Sequence, residues 1–379
     1  MMKHTKLENP FPTTTYYGKE YFCDREQETS RILSNIKSGN STTLLSIRRI
    51  GKTGLLKHVI EQFPEDIKGI YIDILETENL TQFLNLLTTG ILQAIPQKSN
   101  FGEKIWEFIT SLRPTISFDT LSGEPQASFV IQAQDVQTNI ANVFQFLENQ
   151  NYKIIIALDE FQQILTYPEK NIDAWLRTKI QHLKNIHFIF SGSEQHIMQE
   201  LFNSPKRPFY RSTHILKLEK INRNIYAEFI VHQFAKHKKE IPIEIAYEIL
   251  EWTNTHTFFV QQLCNRVFEA SHDKATTEIW KNEARILLKE QEYVFFSYRN
   301  MLTNNQWNLL KAIAHEGIVL EVTAQSFIKK HNLGSSATVL RSLHSLLTYE
   351  LLYSDFDESG KKFYSVYDIL FQRWAQTRI

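Results

Sequence analysis

Neither sign of charge prevails in these 379 residues: 42 Lys/Arg meet 42 Asp/Glu, a formal net charge of zero. No global basic field draws the chain to nucleic acid or to an anionic membrane, so any such binding has to be local. Cysteine is nearly absent, with only Cys23 and Cys264, far apart in sequence. That argues against a disulfide scaffold or a cysteine-built zinc site and for a reducing compartment. No apolar run approaches the roughly 18 residues of a membrane span. The opening "MMKHTKLENPFPTT" also has no apolar core of signal-peptide length. A soluble, cytoplasmic chain without a membrane partner is expected. Repeats, low-complexity tracts and long Gly/Ser linkers are missing too, so boundaries have to be read from hydrophobic pattern. What is present, 42% hydrophobic residues over a length that suits two or three domains, can build ordinary globular cores.

From Leu44 to about Leu218 short apolar strands alternate with helices. "TTLLSI" (42–47), "GIYIDI" (69–74), "YKIIIALDEF" (152–161), "IHFIFSGS" (186–193) and "HILKL" (214–218) are nearly continuous in apolar residues. Strands of that kind suit a parallel sheet covered on both faces. The stretch 111–134 reads as an irregular or hairpin insertion. After Glu219 the strands stop, and amphipathic helices run to about Tyr298. From Asn304 three short helices precede two extended segments joined by an Asp-Glu-Ser-Gly turn, the pattern of a winged helix. The expected fold is α/β: a parallel-sheet core over 1–218, a helical lid over 219–298 and a winged helix over 299–379.

One glycine is missing where it matters. Ser46-Ile47-Arg48-Arg49-Ile50-Gly51-Lys52-Thr53 matches the phosphate-loop pattern G-x-x-x-x-G-K-[ST] at three of its four fixed positions, with serine opening the loop. The chemistry asks for backbone N–H groups around phosphate, a lysine for the outer phosphates and a hydroxyl for Mg²⁺. The N–H groups are expected mainly from Arg49, Ile50, Gly51, Lys52 and Thr53, with Gly54 continuing into the helix. A strand precedes the loop, and Leu55, Leu56, Val59, Ile60 and Phe63 follow at helical spacing. The helix N-terminus then adds its own unpaired N–H groups and positive dipole end. Serine is a mild replacement in a turn. ATP or ADP is the expected ligand.

Hydrolysis needs a second metal contact and a group that orients water. Asp159 follows the apolar strand Ile154–Leu158 and so stands at the edge where open α/β sheets bind ligands. There it can hold Mg²⁺, and Glu160 beside it can polarise water. Ser191 and Ser193 close the next strand, where they either touch phosphate or simply end it. Arg207 and Arg211 precede the last strand, and one of them can neutralise charge on the transferred group, unless both are merely solvated.

In order along the chain, "YFCDREQE", "SIRRIGKTGLL", "IIIALDEF", "FIFSGSEQHIM", "PFYRSTHILKL" and a winged helix ending "YSVYDILFQRWA" resemble the archaeal-type ATPases of the STAND branch of AAA-like P-loop proteins. The resemblance spans nearly the whole chain. It implies a phosphate site at Gly51, Lys52 and Thr53, metal binding and water activation by Asp159 and Glu160, a sensor at Ser193, and an approach of Arg211 to the γ-phosphate. Arg25 matches an arginine near adenine in that family, although it can equally open an exposed helix. Three glycine positions of the family pattern carry other residues, Asp24, Ser46 and Thr255. Thr257 further replaces a proline of the lid.

Within 301–379 eight Lys/Arg face seven Asp/Glu, a poor balance for DNA binding that draws on many phosphate contacts. Arg341 and His344 are among the few residues of the expected recognition helix, roughly Ser335 to Tyr349, suited to base or phosphate contact, so a protein partner or self-association is favoured and DNA is the alternative. The thirteen histidines contain no H-x-x-x-H pair, and no metal other than Mg²⁺ is expected. Two functions remain open: a Mg²⁺-dependent ATPase acting as a switch, and a non-hydrolysing nucleotide-binding scaffold.

Overall fold

The computed structural model describes residues 6–357 and 359–377 and divides into two compact units. One is Arg25–Glu219. The other joins the chain's beginning, up to Asp24, to everything from Lys220 onward.

The first unit is built on five strands: β1 (Thr42–Leu45), β2 (Ile67–Asp73), and, beyond the hairpin of β3 (Thr115–Phe118) and β4 (Pro125–Ser128), β5 (Lys153–Asp159), β6 (Ile186–Ser191) and β7 (His214–Lys217). Their order across the sheet is β2-β5-β6-β1-β7, and every pairing is parallel. All residues of β6 are buried and so are Ile154 to Asp159 of β5, as a strand sandwiched between helical layers requires. Parallel pairing brings the C-terminal ends of all five strands to one edge. The register sets Asp73 of β2 directly beside Asp159 of β5 at that edge. The 111–134 stretch is the antiparallel hairpin β3-β4.

In the second unit the helices Arg223–Lys236, Ile243–Trp252, Thr257–Ala270 and Thr277–Met301 share a core with Phe11 and Cys23. Phe11 is wholly buried, 5.5 Å from Phe234 and 6.2 Å from Phe268 between ring centroids, and Asn9 Nδ2 donates to the Asn265 carbonyl at 2.9 Å. Phe11 and Cys23, expected with the sheet, therefore pack in the helical unit, where they bury apolar surface that nothing in their local pattern reveals. The winged helix comprises helices Asn304–Glu316, Gln325–His331 and Ser336–Thr348, the antiparallel pair β8 (Leu352–Phe356) and β9 (Lys362–Val366), and helix Ile369–Thr377. It is fused to the preceding helices rather than hung from them. Phe295 lies 5.3 Å from Trp374 and 5.6 Å from Phe371, and Arg373 Nε donates to the Trp252 carbonyl at 2.7 Å. No described helix is long and apolar enough to cross a membrane.

Candidate functional site

The site assembles at the C-terminal edge of the sheet. β1 runs into the loop 46–51, and helix Lys52–Glu61 starts at once behind Gly51, whose φ of 104° only glycine adopts without strain. Arg49 also has positive φ, at 57°, whereas Ser46, the residue directly after β1, does not. Ser46 and Ile50 are buried at about 1% exposure, Arg49 is exposed, and Gly54 sits in the first turn of the helix.

Lys52 is 6% exposed and its Nζ donates to two neutral oxygens, Ser46 Oγ and the Ile47 carbonyl, each at 3.2 Å. Burial lowers its pKa, while Asp159 and Glu160 pull it back up. A buried ammonium with no direct carboxylate partner is a ready receptor for an anion. Thr53 Oγ1, next along the helix, donates to Asp159 Oδ2 at 2.6 Å. The same oxygen accepts from Tyr71 Oη at 3.1 Å, a contact that no local pattern announces because Tyr71 lies on β2. Burial, with the neighbouring Asp159 and Asp73 charges, pushes the Tyr71 phenol up. Burial likewise raises Asp73, whose carboxylate faces the charges of Asp159 and Glu160. The edge thus carries a concentrated acidic field around two hard-oxygen groups, Thr53 and Asp159, which is the donor chemistry Mg²⁺ takes.

Glu160 leaves β5 in the left-handed region, φ 57° and ψ 39°, and one of its carboxylate oxygens is heavily subscribed. Oε2 accepts from Gln162 Nε2 at 2.6 Å, Ser193 Oγ at 2.8 Å and the Ser193 backbone N–H at 3.0 Å. Gly192 makes room for this arrangement, since a Cβ there would lie 2.1 Å from Gln162 Oε1. Ser193 and Glu160 are therefore brought together, while Ser191 points its hydroxyl into the buried interior of β6 with no partner. Gln162 is a further member of the site that pattern reasoning passed over, two residues beyond the acidic pair.

Arg211 and Arg25 stand apart from this cluster. Arg211, φ 51°, is exposed and stacks over Tyr210 at 5.2 Å. Arg207 is held by Glu200 at 2.6 Å and approached by Asp173 at 3.7 Å. Arg25 opens helix Glu26–Lys37 but is not exposed: 3% accessible, it donates to Glu28 Oε1 and to the Glu219 carbonyl, both at 2.7 Å. Two of the three positions where the resembled family has glycine keep a glycine-like backbone without it, Asp24 at φ 61° and Thr255 at φ 51°.

The family described as an ATPase domain predominantly from Archaea matches residues 22–257, and the family described as a probable winged helix domain matches 293–377. No curated protein matches the chain. Among solved structures, a Walker-type ATPase of Pyrococcus abyssi is similar at 17% identity and TM-score 0.66, covering 97% of this chain and 99% of that one. The ORC2 protein of Aeropyrum pernix, solved in ADPNP–ADP complexes, is similar at 13% identity and TM-score 0.55, covering 97% and 98%. Such distant likenesses establish the fold alone, an α/β P-loop ATPase fold followed by a winged helix. With the phosphate loop, the acidic strand end and a family match over well beyond half its length, this chain belongs to the ATPase-domain family found predominantly in Archaea.

Proposed function

We propose that the chain is a Mg²⁺-dependent ATPase whose nucleotide state acts as a switch of the STAND kind. The observation that carries the reading is the 2.6 Å hydrogen bond from Thr53 to Asp159, residues 106 apart in sequence. It joins the hydroxyl that ends the phosphate loop to the carboxylate that ends β5, beside a lysine with only neutral acceptors. Mg²⁺ held by Thr53 and Asp159 would offset the charge of the outer phosphates. In this reading Lys52 turns from Ser46 and Ile47 to phosphate, and the N–H groups of Arg49 to Thr53 line the anion. Glu160 takes the role of polarising water, which it can perform once its carboxylate is freed from some of its donors. Ser193 then couples phosphate contact to that release. Arg211, exposed as it stands, serves the phosphoryl group only after rearrangement or from a neighbouring copy. Arg25, buried at the root of its helix, sets the backbone near the base.

The winged helix, with its nearly balanced charge, is assigned to a protein partner or self-association ahead of DNA. Residence in the cytoplasm belongs to the same proposal. The three donors on Glu160 favour a second reading, a nucleotide-binding scaffold that does not hydrolyse. Glu160→Gln separates the two. The variant should bind Mg·ATP like the parent in a calorimetric titration and turn over roughly two or more decades more slowly, as removal of a general base does. Equal turnover in variant and parent removes Glu160 from the chemistry, and a parent with no turnover leaves the scaffold.

A further inference from the structure

The winged helix carries a cluster of chemistry that its sequence spacing hides. His315 and Glu316 end the helix Asn304–Glu316, and His331 ends the helix Gln325–His331. Both ends are sharply defined, the first by Gly317 at φ 78° and the second by Asn332 at φ 52°. Gln376 Nε2 further donates to the His315 carbonyl at 3.2 Å and fixes the last turn. The result brings one ring nitrogen of His315, a Glu316 carboxylate oxygen and one ring nitrogen of His331 within 4.8 Å of one another.

Part of this cluster is an ordinary surface ion pair. Glu316 Oε1 lies 2.7 Å from His331 Nε2 and 2.6 Å from Lys330 Nζ, and these two contacts hold the Glu316 carboxyl below the usual carboxylate range. Pairs of that kind contribute little to stability. The ion pair does not account for His315. Its Nδ1 is shut away from water and makes no hydrogen bond, and Glu316 Oε1 is 4.0 Å distant, too far for one. A buried ring nitrogen with no partner costs free energy unless something completes it.

We propose that His315, Glu316 and His331 form a binding site for a divalent transition cation of the zinc type, with water as the fourth ligand. Two imidazoles and one carboxylate suit such an ion, whose ligand atoms sit about 3.4 Å apart in a tetrahedron of roughly 2.1 Å bonds. The Glu316 oxygen stands 2.7 Å and 4.0 Å from the two imidazoles, on either side of that value, and all three ligand atoms lie within 4.8 Å of one another, so side-chain rotations close the site. Binding forms three protein–metal bonds. His331 Nε2 gives up any proton to solvent, and the Lys330 ammonium, on a side chain 57% exposed, swings away from the shared oxygen. The bound ion would clamp the ends of two winged-helix helices and stiffen the face between them. The site is independent of the nucleotide reading.

Zinc titration of the full, nucleotide-free chain by calorimetry tests it, with metal content read after dialysis. Because other histidines can bind zinc weakly, the measured quantity is the difference between variants. His331→Gln and His315→Gln should each lose one zinc equivalent, or weaken its binding at least tenfold, while circular dichroism stays that of the parent. Lys330→Ala should keep the site and tighten it several-fold, since the competing ammonium is gone. With Co²⁺ in place of zinc, the parent should show the intense visible bands of a tetrahedral site, absent from both histidine variants. Unchanged zinc stoichiometry and affinity in both variants, or parental Co²⁺ bands that persist in them, would overturn the proposal and leave a surface ion pair.

Discussion

Replacing Ser46 tests how the loop works without its first glycine. The Ser46 hydroxyl accepts from Lys52 Nζ at 3.2 Å and donates to the Ile47 carbonyl at 2.9 Å. When Lys52 turns to phosphate, both of its neutral acceptors are vacated. Ser46→Ala therefore removes an interaction from the free state that the bound state no longer contains. A hydrogen bond to a charged group contributes roughly 1.5–3 kcal/mol at best. This one is long, and the Ile47 carbonyl remains as an alternative, so about 1 kcal/mol is a fair share. The expected result is ATP affinity tightened about fivefold and in any case changed by less than about tenfold, or 1.4 kcal/mol. Ser46→Gly should behave alike. With φ at 46 not positive, glycine relieves no strain there, and its entropy cost applies equally to free and bound loops. Calorimetric titration of Mg·ATP into the parent and both variants decides the matter. A loss greater than tenfold in both variants would mean the hydroxyl touches nucleotide. A large gain confined to glycine would mean the loop is strained at Ser46, and the argument from φ would fail.

Tyr71→Phe removes the 3.1 Å hydrogen bond to Asp159 and keeps the ring. The Mg²⁺ requirement for ATP binding should rise several-fold, about 1 kcal/mol, and an unchanged requirement would show that Tyr71 does not position the carboxylate. Thr255 is β-branched yet held at φ 51°, a conformation that costs roughly 1–2 kcal/mol, so Thr255→Gly should raise the melting temperature. A lower melting temperature would mean that the Thr255 hydroxyl, 3.4 Å from the Leu250 carbonyl, outweighs the strain.

Parts of the site lay open in the sequence because they are local. A strand, a loop and a helix in immediate succession bring Gly51, Lys52 and Thr53 together whatever surrounds them. Asp159 and Glu160 were readable from the end of the most apolar strand. Their partners were not. Tyr71 meets Asp159 only because β2 is the neighbour of β5, and strand order is a property of the whole sheet. Ser193 was visible as a strand end, but its grip on Glu160 depends on β6 lying beside β5. The packing of Phe11 on Phe234 and Phe268 escaped for the same reason, being one isolated aromatic set more than two hundred residues from its partners. His315 and His331 gave no metal pattern because the two helix ends that carry them meet across a turn, beyond the reach of a spacing rule.

The placement of Phe11 and Cys23 in the helical core has a consequence for the order in which the molecule can be made. The ATPase unit, Arg25–Glu219, is an uninterrupted stretch, complete as soon as it has left the ribosome. The other unit is split around it. Its earlier piece emerges ahead of that stretch and must wait for Phe234 and Phe268, a delay of roughly ten to fifty seconds at ordinary rates of synthesis. Throughout that interval Phe11 lacks its ring neighbours Phe234 and Phe268, while the ATPase unit is already out of the ribosome. Completion of the second unit is thus a late event, in which an earlier stretch of the chain is captured by a later one.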